Sequence, residues 1–231
     1  MHAIVLVLAT ILLGLWPARI GAQCDQCEGD FNGDGHVTID ELIVAVNNAL
    51  NDCPMPGPRF VDNSDGTITD TKTGLQWEKK DSKDVEEPPE PIVCPGQPTC
   101  ANPHDADNQY TWSAGGSGPD GSAFTDFLPK LNSGNGFAGH KDWRLPTVVE
   151  LEGLVDYGQA NPAIDPIFSA PCTSTCTVTT CSCTVPDFYW TSTAGVKVPE
   201  AESWTVEFDR GFVELFDPTL PHYVRAVRGG A

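Results

Sequence analysis

The sequence predicts an α+β fold, with short twisted antiparallel strands, two helices and long loops, preceded by a small loop–helix unit. Strand-like stretches alternate with tight-turn signals such as Asp65-Gly66 and Thr73-Gly74. Only a few segments show helical signals, and Pro-, Gly- and Ser/Thr-rich stretches separate them. The chain has 231 residues, 40% of them hydrophobic, which is enough for one small module and one good-sized core.

The N-terminus predicts the compartment. Residues 3–16, AIVLVLATILLGLW, are apolar but too few to span a bilayer comfortably, and small residues follow up to Ala22. We therefore predict a signal peptide at residues 1–22 and a secreted, periplasmic or cell-surface protein. An uncleaved anchor is the alternative, because only His2 and no Lys or Arg precedes the apolar core. Nine cysteines agree with an oxidising compartment, and their odd number leaves one thiol free or intermolecular.

The charge of the chain excludes one class of partner. Removing residues 1–22 takes away one arginine and no acid, so the 13 basic and 32 acidic residues become 12 and 32, a formal charge of −20. Such a chain is not expected to bind nucleic acid, and its field opposes polyanionic ligands while attracting divalent cations. No segment after the signal peptide is apolar enough to insert into a membrane.

The segment 30–41, DFNGDGHVTIDE, has the spacing of an EF-hand calcium loop. Oxygen ligands fall at positions 1, 3, 5 and 12, with a glycine for the sharp turn at position 6. Position 7 contributes a backbone carbonyl and position 9 holds a bridging water. The alternative is an acidic, Gly-rich turn before a helix. The predicted Ca²⁺ ligands are Asp30, Asn32, Asp34, His36, Thr38 and Glu41.

A helix is expected to follow the loop, because apolar residues recur on one helical face from Ile39 to Leu50. Cys24 or Cys27 is expected to pair with Cys53 and close a unit at residues 23–53. A C-x-x-C redox pair is the alternative. This loop and exit helix resemble one half of a dockerin repeat, although the chain has a single repeat that ends in Glu41. A Pro-rich linker at residues 54–58 would lead into the second domain.

The second domain, residues 59–231, begins with the strand signals around Asp65-Gly66. Residues 81–109 read as a loop pinned by a disulfide between Cys94 and Cys100, and the YTW segment at 110–112 reads as a strand. One helix is expected over residues 122–132. A second begins at a T-x-x-E capping box, Thr147 to Glu150, and Gly158 is placed to end it.

The rest of the domain reads as a cysteine-rich loop and three strand segments. Cys172, Cys176, Cys181 and Cys183 are expected to form local disulfides, with zinc coordination as the alternative. The strand segments are FYWTST, SWTVEFDRGFVELF with a turn at residues 209–211, and HYVRAVRGG.

The segments DNSDGTITDTKTGLQW, YTW, DWRLPTVVELEGLVDYG, YWTSTA, SWTVEFDRGFVE and YVRAVRGG resemble, in that order, the C-terminal domain of the collagen-like adhesins of Legionella. The W-R-L-P-T-x-x-E-L segment also resembles the wider C-type-lectin-like group. The resemblance implies a C-type-lectin-like fold over residues 59–231. It also implies adhesion to an extracellular glycan or protein, in this family a sulfated polysaccharide. The basic residues available for such a ligand are Lys141, Arg144, Arg225 and Arg228.

Several of these residues can have a structural role instead of a functional one. Trp77, Trp112, Trp143, Trp190 and Trp204 are expected to pack the core rather than form a platform for sugars. Arginines such as Arg144, Arg225 and Arg228 are more often buried-pair or turn residues than ligand contacts. No serine-hydrolase, zinc-protease or phosphate-loop motif occurs, and no cysteine pair follows Cys183 to support formylglycine-generating chemistry.

The sequence therefore predicts a non-catalytic calcium-binding protein with a lectin-like recognition and adhesion domain. The alternatives are a dockerin-like subunit of a polysaccharide-degrading assembly and a carbohydrate-active enzyme.

Overall fold

The computed structural model describes residues 37–50, 58–82, 91–169, 172–195 and 202–230. The chain divides into two units, Met1–Gly57 and Pro58–Ala231. The predicted signal peptide, the pairing of Cys24 or Cys27 with Cys53, and calcium-loop positions 30–36 lie outside the described residues. In the predicted linker, only Pro58 is described.

The described part of the first unit is helix α1, Ile39–Leu50. Thr38 and Glu41 form a capping arrangement at its start. The Glu41 Oε2 atom accepts hydrogen bonds from the Thr38 backbone N–H and hydroxyl, both at 2.9 Å, and the Glu41 N–H donates to Thr38 Oγ1 at 3.3 Å. The apolar residues predicted to share one face are present on the helix. The side chains of Ile39, Leu42, Ile43 and Val46 are 77, 54, 53 and 50% exposed.

The second unit is mostly β-structure, as the sequence predicted for an α+β domain with few helices. Its described residues form ten strands: β1 (Phe60–Asp62), β2 (Thr67–Asp70), β3 (Leu75–Glu78), β4 (Ile92–Val93), β5 (Asn108–Thr111), β6 (Phe188–Ala194), β7 (Ser203–Glu207), β8 (Val213–Phe216), β9 (Pro221–Tyr223) and β10 (Val227–Gly229).

These strands form two sheets. The first has the order β1-β2-β3-β10 and is antiparallel, with Val227 opposite Trp77. The second has the order β4-β5-β9-β6-β7-β8, in which β4–β5 and β6–β9 are parallel pairs. The segment HYVRAVRGG, predicted as one strand region, therefore contributes β9 to one sheet and β10 to the other.

Two helical segments occupy the predicted positions, with one correction to their length. A π-helical turn, Ala123–Phe127, continues into α2, Leu128–Asn132. Helix α3, Val148–Glu152, begins at the predicted capping box, where Thr147 accepts from the Glu150 N–H and Glu150 accepts from the Thr147 N–H. The expectation that Gly158 ends this helix is wrong. The helix stops at Gly153, and Val155 instead forms a β-bridge with Ile164.

The core consists of two main apolar clusters on opposite faces of the second sheet. Successive residues of β6 point to opposite faces, so Tyr189 belongs to the cluster around Phe60 and Phe168, and Trp190 to the cluster around Trp112 and Trp143. Four tryptophans predicted to pack the core are at most 5% exposed: Trp77, Trp112, Trp143 and Trp190. Trp204 is partly exposed.

Local disulfides hold the two long loops, as predicted. Cys94 pairs with Cys100, Cys172 with Cys183, and Cys176 with Cys181. Three of the four cysteines in the loop at residues 172–183 pack with Ala106 in a small separate cluster: Cys176, Cys181 and Cys183. The four cysteines that could have held zinc are therefore used in disulfides.

Two titratable groups, the half-buried His222 and the buried Asp107, have pKa values that shift in opposite directions. His222 lies against the rings of Trp190 and Phe216, and burial lowers its pKa from 6.5 to about 4 despite the nearby Asp187 carboxylate. Burial and the neighbouring Asp105 carboxylate raise the pKa of Asp107 from 3.8 to about 6. Both groups therefore keep their neutral form over a wider pH range in the folded chain.

These shifts predict opposite effects of acid on stability. Between pH 6.5 and about 4 the unfolded chain binds a proton at His222 that the folded chain excludes, so stability falls as the pH drops through this window. Between about pH 6 and 3.8 the folded chain binds the extra proton at Asp107, so stability rises as the pH drops. In urea denaturation at pH 7 and pH 4.5, His222→Phe should lose less stability on acidification than the parent.

Asp107→Asn is the matched control of opposite sign and should lose more stability than the parent over the same pH step. If both variants lose as much as the parent, these two groups do not set the acid response.

Candidate functional site

Two of the six predicted calcium ligands, Thr38 and Glu41, lie within the described residues. The Glu41 carboxylate points back toward the N-terminal end of α1 through its bonds to Thr38. These bonds are those of a helix cap, and the calcium site stays a prediction because its other four ligands lie outside the described residues. Elsewhere in the described ranges, no group of three or more His, Cys, Asp or Glu side chains is arranged to hold a metal ion.

Two of the four predicted basic ligand residues, Arg144 and Arg228, lie close together where the backbone at residue 144 pairs with β10. The backbones of Arg144 and Val227 exchange two hydrogen bonds, which places Arg144 beside Arg228, and Lys141 is exposed nearby in the chain. The guanidinium of Arg144 donates to both oxygens of Glu150 at 2.8 and 2.7 Å.

Arg228 is likewise paired with an acid. Its Nε donates to Asp142 Oδ1 at 2.8 Å, and its Nη1 donates to Gln76. The two arginines are therefore neutralised by carboxylates, which weakens the case for an anion-binding surface here.

The expectation that Arg225 contacts a ligand needs correction, because its side chain is 0% exposed. Its Nη1 donates to the Glu78 carbonyl at 2.7 Å and to Ser182 Oγ at 3.2 Å. Its Nη2 donates to the Cys183 carbonyl at 2.7 Å and to Thr184 Oγ1 at 2.8 Å. The guanidinium therefore donates hydrogen bonds to buried oxygen atoms between the first sheet and the disulfide loop. A ligand in solvent does not reach it.

The Glu78 carboxylate completes this interior network. It accepts from the Ala226 N–H at 2.9 Å and from His104 Nδ1 at 2.8 Å, and Lys80 Nζ lies 3.1 Å away. Burial alone raises the pKa of Glu78, but the Lys80 charge and the His104 hydrogen bond outweigh it, so this pKa lies below its ordinary value. The network is structural, since Glu78 is 0% exposed and Lys80 2%.

The clearest candidate binding site among the described residues is an open cleft of ≈ 450 Å³ at the end of α3, here called the Arg59–Tyr157 cleft. Its lining combines an apolar floor with polar walls and an aromatic rim. The lining residues are Arg59, Phe60, Leu154, Val155, Asp156, Tyr157, Gly158 and Asp165.

Core residues hold the floor and one wall in place. Phe60 is 8% exposed and packs edge-on against Phe168, with ring centroids 5.0 Å apart. The Arg59 guanidinium lies 4.5 Å over the Phe60 ring and forms a fork with Asp70, with Nε–Oδ1 at 3.2 Å and Nη2–Oδ2 at 2.8 Å. Burial raises the pKa of Asp70, but the bonds from Arg59 and the Lys72 N–H outweigh it and hold that pKa below its ordinary value.

Tyr157 forms the rim and is 71% exposed. The turn between β7 and β8 supports it from behind, because the Tyr157 hydroxyl donates to the Gly211 carbonyl at 3.4 Å. Gly211 has φ +85°, and a Cβ added there would lie 2.9 Å from Tyr157 Cε1 and 2.5 Å from Val155 Cγ1. Only glycine fits behind the tyrosine ring without moving it.

Two aspartates provide acceptors in the cleft. Asp156 Oδ1 accepts from the Gly158 N–H at 2.9 Å, and Asp165 Oδ1 accepts from the Ile167 N–H at 2.9 Å. The hydrogen bonds described for each carboxylate use Oδ1 alone. The loop that carries Asp156 is anchored at its base by the Asp156 N–H to Ala163 O bond at 3.1 Å.

The cleft can therefore receive a small polar group against an aromatic ring, with a guanidinium and two carboxylates to orient it. Sequence reasoning missed these residues because it extended the second helix to Gly158, which made residues 154–157 part of a helix and not of a turn. The early end of α3 leaves Tyr157 exposed. A possible signal was the D-Y-G sequence, an aromatic residue inside a turn.

A second open groove of ≈ 450 Å³ is lined by Pro91, Ile92, Val93, Gln97 and Pro98. It offers one polar side chain, Gln97, and so provides less for recognition of a polar ligand than the Arg59–Tyr157 cleft.

The comparisons with known proteins bear on the second unit. A search of protein families matches residues 66–228 to the Lcl C-terminal domain. The chain belongs to this family. The Lcl C-terminal domain is associated with adhesins, which indicates a protein of the cell surface or extracellular space that binds an extracellular partner. Curated proteins and solved structures gave no significant match. Within the described ranges, no helix is both long and apolar enough to cross a membrane.

The buried and surface arginines of the closing segment allow a direct test of their roles. Arg225→Met should lower the free energy of unfolding by about 3 to 5 kcal/mol, because it leaves the polar partners of the guanidinium unsatisfied in the interior. Arg228→Met is the matched control and should cost at most about 1 kcal/mol, since its ion pair is partly exposed. Urea denaturation of both variants measures the difference, and equal losses would contradict the structural role of Arg225.

Proposed function

We propose that this protein is a non-catalytic, secreted or surface-exposed adhesion protein whose C-type-lectin-like second unit binds an extracellular glycan or protein in the Arg59–Tyr157 cleft. The observation that carries the proposal is Tyr157, a ring 71% exposed yet held in place above an open cleft with polar walls. An exposed aromatic ring on a rigid support is typical of recognition surfaces, because it offers a large contact area at low entropic cost.

The basic residues named from the resemblance support binding less well. Arg225 is buried, and Arg144 and Arg228 are paired with Glu150 and Asp142.

The cleft also lies in the part of the chain that matches the adhesin-associated family, apart from Arg59 and Phe60.

The calcium site is a second part of the proposal and rests on the spacing of residues 30–41. Asp30, Asn32, Asp34, His36, Thr38 and Glu41 would hold one Ca²⁺, which would stabilise the loop against the helix.

One alternative keeps the first unit but changes its role. A dockerin-like unit would bind a cohesin module, which a cohesin-binding assay would detect. A carbohydrate-active enzyme is the other alternative, since two carboxylates, Asp156 and Asp165, line one cleft. Hydrolysis of a polysaccharide panel, lost in Asp156→Asn, would favour the enzyme over the adhesion domain.

Calcium binding is testable by isothermal titration of the oxidised mature protein, which should show one site with a Kd of about 10⁻⁵ to 10⁻³ M. Asp30→Ala combined with Glu41→Ala should abolish the binding heat, because two charged ligands are lost. Asp40→Ala, which removes an adjacent acid at a non-ligand position, should leave it unchanged. A double variant that binds calcium like the parent would show the loop assignment to be wrong.

Binding through the cleft is testable with the full-length protein on an array of glycans and extracellular matrix proteins. Tyr157→Ala should reduce binding of the retained ligand by about tenfold or more, because the stacking surface is lost, while Tyr157→Phe should retain most of it. Phe212→Ala, an exposed aromatic outside the cleft lining, is the control.

The turn behind the ring provides an independent variant. Gly211→Ala should weaken binding because the added Cβ displaces Tyr157. Gly74→Ala imposes a similar backbone strain, at φ +72°, but has no neighbouring atom within 4 Å and should bind like the parent. Equal binding by all of these variants would place the site elsewhere.

A further inference from the structure

We infer that the Arg59–Tyr157 cleft selects an uncharged, hydroxyl-rich sugar and disfavours sulfated or carboxylated ones. The inference rests on the proposed function and specifies the ligand class of the same cleft. It follows from which walls donate hydrogen bonds, which accept them, and how their charges balance.

The positive charge of Arg59 is neutralised by the carboxylate of Asp70. Arg59 holds Asp70 through two parallel hydrogen bonds, and the Asp70 side chain is 2% exposed whereas that of Arg59 is 40% exposed. Its positive charge is therefore compensated from below, while the guanidinium still borders the cleft. The described hydrogen bonds of Arg59 use Nε and Nη2, which leaves Nη1 as a donor for a ligand oxygen.

The opposite walls accept hydrogen bonds and carry negative charge. Asp156 and Asp165 both line the cleft, and neither has an ion-pair partner in the described ranges. Their described bonds are to backbone N–H groups within two residues, through one oxygen each. With Arg59 and Asp70 cancelling, the cleft and its immediate support carry a formal charge of −2.

Two ligand classes can be compared against these walls. A sulfate or carboxylate accepts from Arg59 but cannot donate to the two aspartates, which repel it. A hydroxyl both donates and accepts without charge, so the hydroxyl groups of a sugar can donate to the aspartates and accept from Arg59.

The aromatic rim agrees with this selection. A sugar ring presents an apolar face of C–H groups, and the exposed ring of Tyr157 offers a matching apolar surface beside polar walls. The charge of the whole chain, −19, adds long-range repulsion against polyanionic glycans. The local and long-range electrostatics therefore disfavour the same ligands.

The test uses the full-length protein and neutral polysaccharides, each compared with its own sulfated and carboxymethylated derivative, for example dextran, dextran sulfate and carboxymethyl dextran. We expect the protein to bind at least one neutral member, with an affinity that changes less than about twofold between low and high salt, because no ligand charge is screened. The sulfated and carboxymethylated derivatives of that member should bind at least about tenfold more weakly.

Variants that remove one carboxylate charge test which aspartate of the cleft binds the ligand. Asp156→Asn and Asp165→Asn retain the oxygen that accepts the local N–H, and each should weaken the neutral ligand by about tenfold, since a charged acceptor is lost. Asp217→Asn is the matched control, because Asp217 accepts the Thr219 N–H at 2.9 Å in the same way but does not line the cleft.

The outcomes separate this inference from the proposed function. Stronger binding to a sulfated or carboxymethylated derivative, lost in Tyr157→Ala, would overturn the ligand class and leave the cleft as the binding site. Binding to matrix proteins alone, with no neutral polysaccharide bound, would also overturn it. Binding to a neutral polysaccharide that Tyr157→Ala leaves intact would overturn both.

Discussion

The second unit depends on one buried charged interaction network, in which Glu78 and Arg225 are both 0% exposed. Burying two charges costs less free energy when their polar atoms are hydrogen-bonded. The Glu78 carboxylate and both terminal nitrogens of Arg225 have partners from distant segments, whereas Arg225 Nε has none among the described residues. Glu78 binds the Ala226 N–H, 148 residues away, and Arg225 reaches the Cys183 carbonyl. Such bonds form only when the first sheet, the disulfide loop and the last strands have all taken their final places, so the network fixes one arrangement of these parts.

The network also explains why the last segment of the chain is divided between two sheets. Val224, Arg225 and Ala226 lie between β9 and β10, and all three are buried. Arg225 turns toward the disulfide loop, while Ala226 packs in the cluster that contains Trp143 and Trp190. The interruption separates the part of this segment that pairs with β5 in the second sheet from the part that pairs with β3 in the first.

Features set by neighbouring residues were predictable from the sequence, whereas those set by distant contacts were not. The Thr147–Glu150 capping box and the short-range disulfides depend on residues within a few positions of each other, and their signals are local. The burial of Arg225 depends on an acid and carbonyls far along the chain, so composition gave no indication of it. Tyr157 continues a helical spacing in the sequence, and only the bridge between Val155 and Ile164 shows that the helix has already ended.

The early end of α3 is what creates a surface for recognition. If the helix continued to Gly158, Tyr157 would lie next to the buried Leu154 on the helix surface, three residues further on. Ending it at Gly153 leaves Leu154 in the core and Tyr157 exposed, while Gly211 supports the ring from behind. The support comes from a turn that is itself fixed by β7 and β8. The scaffold therefore holds this loop at the surface, which is the arrangement that the proposed binding of an extracellular ligand requires.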